Sequence, residues 1–151
     1  MKTIKVTRKE ILKAIRTEPL KAGTWIHDRK VTLDNGSGIS LQTSVADKKC
    51  KVCAVGAVLR QKGIPDDKIF WAADSLFCDT GSSECDSDAS DEGNPLQNVK
   101  DGHYMAALSS KFEQLSKRLG SGKRTRETLI RFVKRHFPKQ VTVKFYVNEE
   151  Q

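Results

Sequence analysis

Eight consecutive residues, Val52-Cys53-Ala54-Val55-Gly56-Ala57-Val58-Leu59, carry no charged or amide side chain. A helix with apolar residues all round cannot lie on a surface and must be buried on several sides. The whole stretch from Cys50 to Arg60 reads as one helix, with Asp47 as its cap and Gly63 as its stop. The glycine inside it, Gly56, costs roughly 1 kcal/mol against alanine in a helix interior. Its retention predicts that another backbone approaches there. The chain has 151 residues, the length of a single domain that can bury a core without disulfides.

The elements around this helix follow from local signals. Thr7-Arg8-Lys9-Glu10 has the form of a capping box, with Val6 and Ile11 at the staple positions. It opens a helix that Pro19 ends, because proline disfavours helical geometry at Glu18. Thr24-Trp25-Ile26, Val31-Thr32-Leu33 and Ile39-Ser40-Leu41 read as short strands. Asp34-Asn35-Gly36 is the turn between the last two. Ile64-Pro65-Asp66-Asp67 opens a further helix through Ile69, Phe70, Trp71 and Leu76. Met105, Leu108, Phe112, Leu115 and Leu119 recur at helical spacing up to Gly120. Thr125 caps a last helix bearing Leu129, Ile130, Phe132 and Val133, which Pro138 ends. Val141, Val143, Phe145 and Val147 alternate with polar residues and predict a half-buried strand. The expectation is an α+β fold. A small antiparallel sheet, made of the hairpin strands plus the C-terminal strand, packs against about five α-helices in one domain, 1–151.

Charge is divided along the chain. Residues 1–70 hold 15 Lys/Arg against 7 Asp/Glu, residues 71–100 hold 1 against 7, and residues 101–151 hold 11 against 5. The acidic stretch 79–95 is rich in Asp, Ser, Gly and Glu and reads as a mobile loop. Asp86, Asp88, Asp91 and Glu92 within it lack the residue order of a calcium-binding loop. They form one candidate contact for a partner. The other is the basic group Lys123, Arg124, Arg126, Arg131, Lys134 and Arg135 on the last helix, with Lys111, Lys117 and Arg118 nearby. Two helices with a short Gly-containing connector admit a helix-turn-helix reading, although Gly120-Ser121-Gly122-Lys123 is looser than a usual recognition turn. Few aromatics interleave with the basic residues, so stacking on single strands has little support. Nucleic acid remains an alternative partner.

Four cysteines bound a second class of function. Cys50-x-x-Cys53 with Cys78 and Cys85 gives C-x2-C-x24-C-x6-C, whose second pair lacks the tight spacing of zinc ribbons. Zinc at these four residues is a minor alternative to no cofactor. A thiol enzyme would need an imidazole beside Cys53, from His103 or His27. The reading that competes with both makes the cysteines small core residues. The absence of an apolar run of about 20 residues predicts no membrane span. The charged N-terminal residues do not resemble a secretory signal, so the expected location is the cytoplasm.

Cys53-Ala54-Val55-Gly56-Ala57-Val58-Leu59 resembles the C-A-[VL]-G-A helix of small uncharacterised phage and prophage proteins. The order of a short first helix, Thr7–Arg16, followed by Gly23-Thr24-Trp25, is similar to theirs. So are Ala106-Ala107-Leu108-Ser109-Ser110-Lys111-Phe112-Glu113 and Phe132-Val133-Lys134-Arg135-His136-Phe137-Pro138. The resemblance covers most of the chain except the acidic loop, and brings no catalytic residue. It implies a non-enzymatic protein acting in the bacterial host cell, which binds and inhibits a host protein or ribonucleoprotein, as anti-CRISPR proteins do.

Overall fold

Local signals start the first helix where the capping box predicts. In the computed structural model, which describes residues 2–27, 29–34, 36, 38, 40–45, 50–69, 72–73 and 94–145, α1 runs Arg8–Thr17. The Thr7 hydroxyl accepts from the Glu10 amide at 3.1 Å, and the Glu10 carboxylate accepts from the Thr7 amide at 2.9 Å. The staple residues Val6 and Ile11 are both fully buried. A cap of this kind contributes about 1 kcal/mol.

The residues just before that cap form a strand, β1 (Lys2–Thr7). It pairs antiparallel with the C-terminal strand β4 (Gln140–Phe145), with Val6 opposite Val141 and Ile4 opposite Val143. The middle hairpin, β2 (Arg29–Asp34) with β3 (Ser40–Val45), is a separate two-stranded sheet. The expected single sheet therefore divides into two, because β4 finds its partner at the N-terminus and not in the hairpin. The α+β class itself holds, with five α-helices among the described residues. β4 alternates as expected, with Val141, Val143 and Phe145 buried between exposed neighbours. Thr24–Ile26 is not a strand. Only Ile26 bridges, to Val52, which bridges Leu20 as well.

The apolar segment is shorter as a helix than its composition suggests. Residues 50–53 are not helical, and they are held by backbone hydrogen bonds from Lys21 to Val52 and from His27 to Lys51. α2 runs Ala54–Gln61, and its cap is Cys53. The Cys53 sulfur accepts from the Gly56 amide at 3.3 Å. Asp47, expected as the cap, lies outside the described residues. Every residue of α2 from Ala54 to Leu59 is buried. The expectation for Gly56 holds, since a Cβ there would lie 2.3 Å from the Trp25 carbonyl oxygen.

Beyond α2 a 3-10 turn, Asp66–Lys68, replaces the start of the expected third helix. Ile69, Ala72 and Ala73 are helical and buried, while Phe70, Trp71 and Leu76 lie outside the described residues. Arg60 locks this corner. Its guanidinium donates to Asp66 at 2.8 Å, Glu18 at 3.1 Å and the Cys50 carbonyl at 3.1 Å. One planar fork thus ties α1, α2 and the turn together.

A short helix that composition did not predict, α3 (Pro95–Lys100), takes up the end of the expected acidic loop. Asn94 caps it, and proline occupies its first turn without loss. α4 runs Tyr104–Leu119 and ends at Gly120, whose φ is +79°. α5 runs Lys123–His136. Its start is at Gly122 and not at Thr125, which is buried in its first turn and donates its hydroxyl to the Gly120 carbonyl. The core lies where α1, α2, α4 and α5 meet β1 and β4, around Phe112, Phe145, Leu108 and Leu129.

Candidate functional site

The inward face of α5 determines what its outward face presents. Thr125, Leu129, Phe132 and Val133 are buried, and Phe132 packs edge-on to Phe137, which in turn meets Tyr104 at 5.2 Å between ring centres. Lys111 of α4 places its ammonium 5.4 Å from the Phe132 ring centre, a cation–π contact across the helix pair. These contacts fix the rotation of α5.

At 3.6 residues per turn, Lys123, Arg124, Arg131, Lys134 and Arg135 then fall within an arc of roughly 120° opposite the buried stripe. All five are exposed. One acid, Glu127, shares the arc and stands 3.9 Å from Lys123. The Arg131 guanidinium donates to the Thr128 hydroxyl at 3.3 Å, which lays it along the helix. Lys134 and Arg135 make no ion pair among the described residues. The three-residue connector 120–122 brings the exposed Lys117 and Arg118 of α4 to the same end of α5 as Lys123 and Arg124. The result is a ridge of positive charge with no apolar component.

Arg126 does not belong to it. It points away from the arc, and its guanidinium donates to the Ile15 carbonyl of α1 at 2.6 Å. That bond satisfies a carbonyl of the last turn of α1 and docks the two helices. Charge alone did not distinguish Arg126 from its neighbours. Its position among the residues nearest the buried stripe does. The acidic candidates Asp86, Asp88, Asp91 and Glu92 lie outside the described residues.

The cysteines divide in the same way. Cys78 and Cys85 lie outside the described residues. Cys50 and Cys53 are buried at 2 % exposure each and form no disulfide. Cys50 donates to the Val45 carbonyl at 3.4 Å, and Cys53 caps α2. No cluster of three or more His, Cys, Asp and Glu residues of metal-site type occurs among the described residues. The His27 ring turns its Nε2 to the Ala22 and Lys21 carbonyls at 3.1 and 3.2 Å, so that nitrogen donates there. His103 sits at the cap position of α4, and its backbone amide donates to Asn98.

Two ionisable groups away from the ridge are set by the fold. Burial works against the Arg60 charge, but hydrogen bonds and charges from Asp66 and Glu18 outweigh it and hold its pKa above the usual arginine value. Glu10 is held below the usual carboxylate range, first by its bond from the Thr7 amide and then by Lys62 at 2.9 Å. A further acid that no sequence signal singles out, Glu113, is buried on α4 and accepts from the Gly23 amide at 3.0 Å. It fixes the turn before Trp25. No described helix is long and apolar enough to cross a membrane. Comparison of the chain with protein families, with curated proteins and with solved structures gives no significant match.

Proposed function

We propose that this chain is a non-enzymatic, phage-type binding protein that engages and blocks a bacterial host protein or ribonucleoprotein through the basic face of α5. The observation that carries the reading is the ridge itself. Lys123, Arg124, Arg131, Lys134 and Arg135 are exposed on one rigid helix with Glu127 as the only acid among them. A helix stabilising itself would interleave acids at i, i+4 spacing. Five cations against one anion instead raise the potential over the face and steer an anionic partner toward it. The buried state of Cys50 and Cys53, and the use of Cys53 as a cap, favour this reading over thiol chemistry. The bacterial and inhibitory part of the proposal is what the resemblance to small phage and prophage proteins implies.

The test is affinity capture from bacterial lysate with the wild-type chain and with Arg124→Glu/Arg131→Glu/Arg135→Glu, followed by mass spectrometry. The wild type should retain a defined partner, and the charge-reversed chain should lose it. Equal retention of that partner by a charge-reversed chain with an unchanged melting curve would refute the assignment of the α5 face.

A further inference from the structure

We infer that the anionic surface met by α5 is the phosphate backbone of a nucleic-acid duplex, either free or within a ribonucleoprotein. The inference rests on the reading of the α5 face given above and names its partner. What the ridge lacks decides between an acidic protein surface and a nucleic acid. Protein interfaces draw their affinity from buried aromatic and aliphatic anchors and are depleted in lysine. The arc offers Lys123, Arg124, Glu127, Arg131, Lys134 and Arg135 and no apolar anchor, and Ile130 just beyond its edge is packed against the core. The one aromatic nearest to it in sequence, Phe132, is turned inward at 7 % exposure. The only large exposed hydrophobic side chain among the described residues is Leu96, on α3. Arginine and lysine without apolar anchors are the composition of a phosphate-contacting surface.

The same absence selects a duplex over a single strand. Single strands are held by stacking bases on exposed aromatic rings, and the ridge has none. Its length also fits. From Lys123 to Arg135 the helix rises about 18 Å, along which a duplex presents roughly ten phosphate charges. The arginines at 124, 131 and 135 are spaced about 10 Å and 6 Å along the axis. Lys117 and Arg118 continue the charge beyond the connector. The face carries no Asn or Gln, the side chains that read adenine edges, so contact is with the backbone and sequence preference is weak.

The test is fluorescence anisotropy of the purified full chain with labelled duplex DNA, duplex RNA and single-stranded DNA of about 20 nucleotides, over roughly 50 to 200 mM salt. Five phosphate contacts give a log–log salt slope of about −4.5, a loss of roughly 500-fold over that range. Arg124→Gln/Arg131→Gln/Arg135→Gln should reduce the slope by about 2.7. Lys13→Gln/Lys51→Gln/Lys100→Gln removes as many exposed charges elsewhere and should leave it unchanged. A preference for duplex RNA or for duplex DNA supports the inference and identifies the source. Lack of duplex binding at the lowest salt, equal or tighter binding of the single strand, or a slope untouched by the three arginine substitutions overturns it. If duplex binding is absent while charge reversal still abolishes partner capture, the α5 face stands as a protein contact and only the present inference falls.

Discussion

Replacing Gly56 with alanine sets helix propensity against packing, and the two have opposite signs. In an ordinary helix interior the change stabilises by about 1 kcal/mol. In α2 the new methyl would lie 2.3 Å from the Trp25 carbonyl oxygen and 3.1 Å from Val52 Cβ, where ordinary contact begins at 3.4 Å. Neither neighbour can rotate away, because the first is backbone and the second is branched at the contacting atom. Segment 20–27 must therefore shift from α2. That shift strains the Cys53 N–H to Trp25 carbonyl bond of 3.2 Å, worth about 1 kcal/mol, and adds overpacking of about 1–3 kcal/mol. The net effect is a loss of about 2 kcal/mol, or roughly 4–8 °C in melting temperature for a chain of this length. Urea denaturation followed by circular dichroism reads it as a lower midpoint at constant slope. An alanine variant as stable as the wild type, or more stable, would refute the close approach of Trp25 and with it the position of segment 20–27 on α2.

Three further outcomes follow from other contacts. Arg60→Met should destabilise by about 3–5 kcal/mol in the same assay, because Glu18 and Asp66, with side chains only 13 % and 11 % exposed, would lose their shared cation; a cost below about 1 kcal/mol would show that water reaches this corner. Glu10→Gln should alter the acid limb of stability. The folded-state pKa of Glu10 is lowered, so its contribution is present above the unfolded value of about 4.3 and is lost as pH falls through the lower folded value. The difference between wild type and variant should be largest near neutrality and vanish in strong acid, and a pH-independent difference would contradict the sign. Cys53→Ser should keep the cap of α2, whereas Cys53→Ala should lose about 1 kcal/mol, and both should retain partner capture; loss of capture by a folded serine variant would return the thiol to consideration.

The readable parts of the fold were those set by neighbours in the chain. Thr7 and Glu10 are three residues apart, and their reciprocal bonds need nothing beyond one turn of helix. The alternation of Val141, Val143 and Phe145 needs only one buried face. β1 has no clear sequence signal, because Ile4 and Val6 make a period-2 pattern of only two residues and Val6 also serves as the staple of α1. α3 is obscured because Asn94-Pro95, a good helix start, follows a long acidic stretch whose composition dominates the reading. The residue type of Cys53 admits a nucleophile or a metal ligand, and its use as a helix cap needs the chain direction at Val52, which long-range bridges to Leu20 and Ile26 set.

By itself the sequence determined the α+β class, the interior position of Val52–Leu59, the necessity of Gly56 and the basic character of α5. The class, the interior position and the basic character follow from side-chain type and period; for Gly56 the sequence signals only that some backbone approaches, and that it is the Trp25 carbonyl belongs to the tertiary structure. The tertiary structure alone decided that β4 pairs with β1, that Arg60 sits between two part-buried acids, and that Arg126 turns inward to α1 while its basic neighbours face out. Those outcomes depend on contacts between residues up to 143 positions apart, such as Lys2 and Phe145. A charged side chain has the same identity whether it docks a helix or meets solvent; helical position sets Arg126 beside the buried stripe, and the carbonyl of Ile15 is what it finds there.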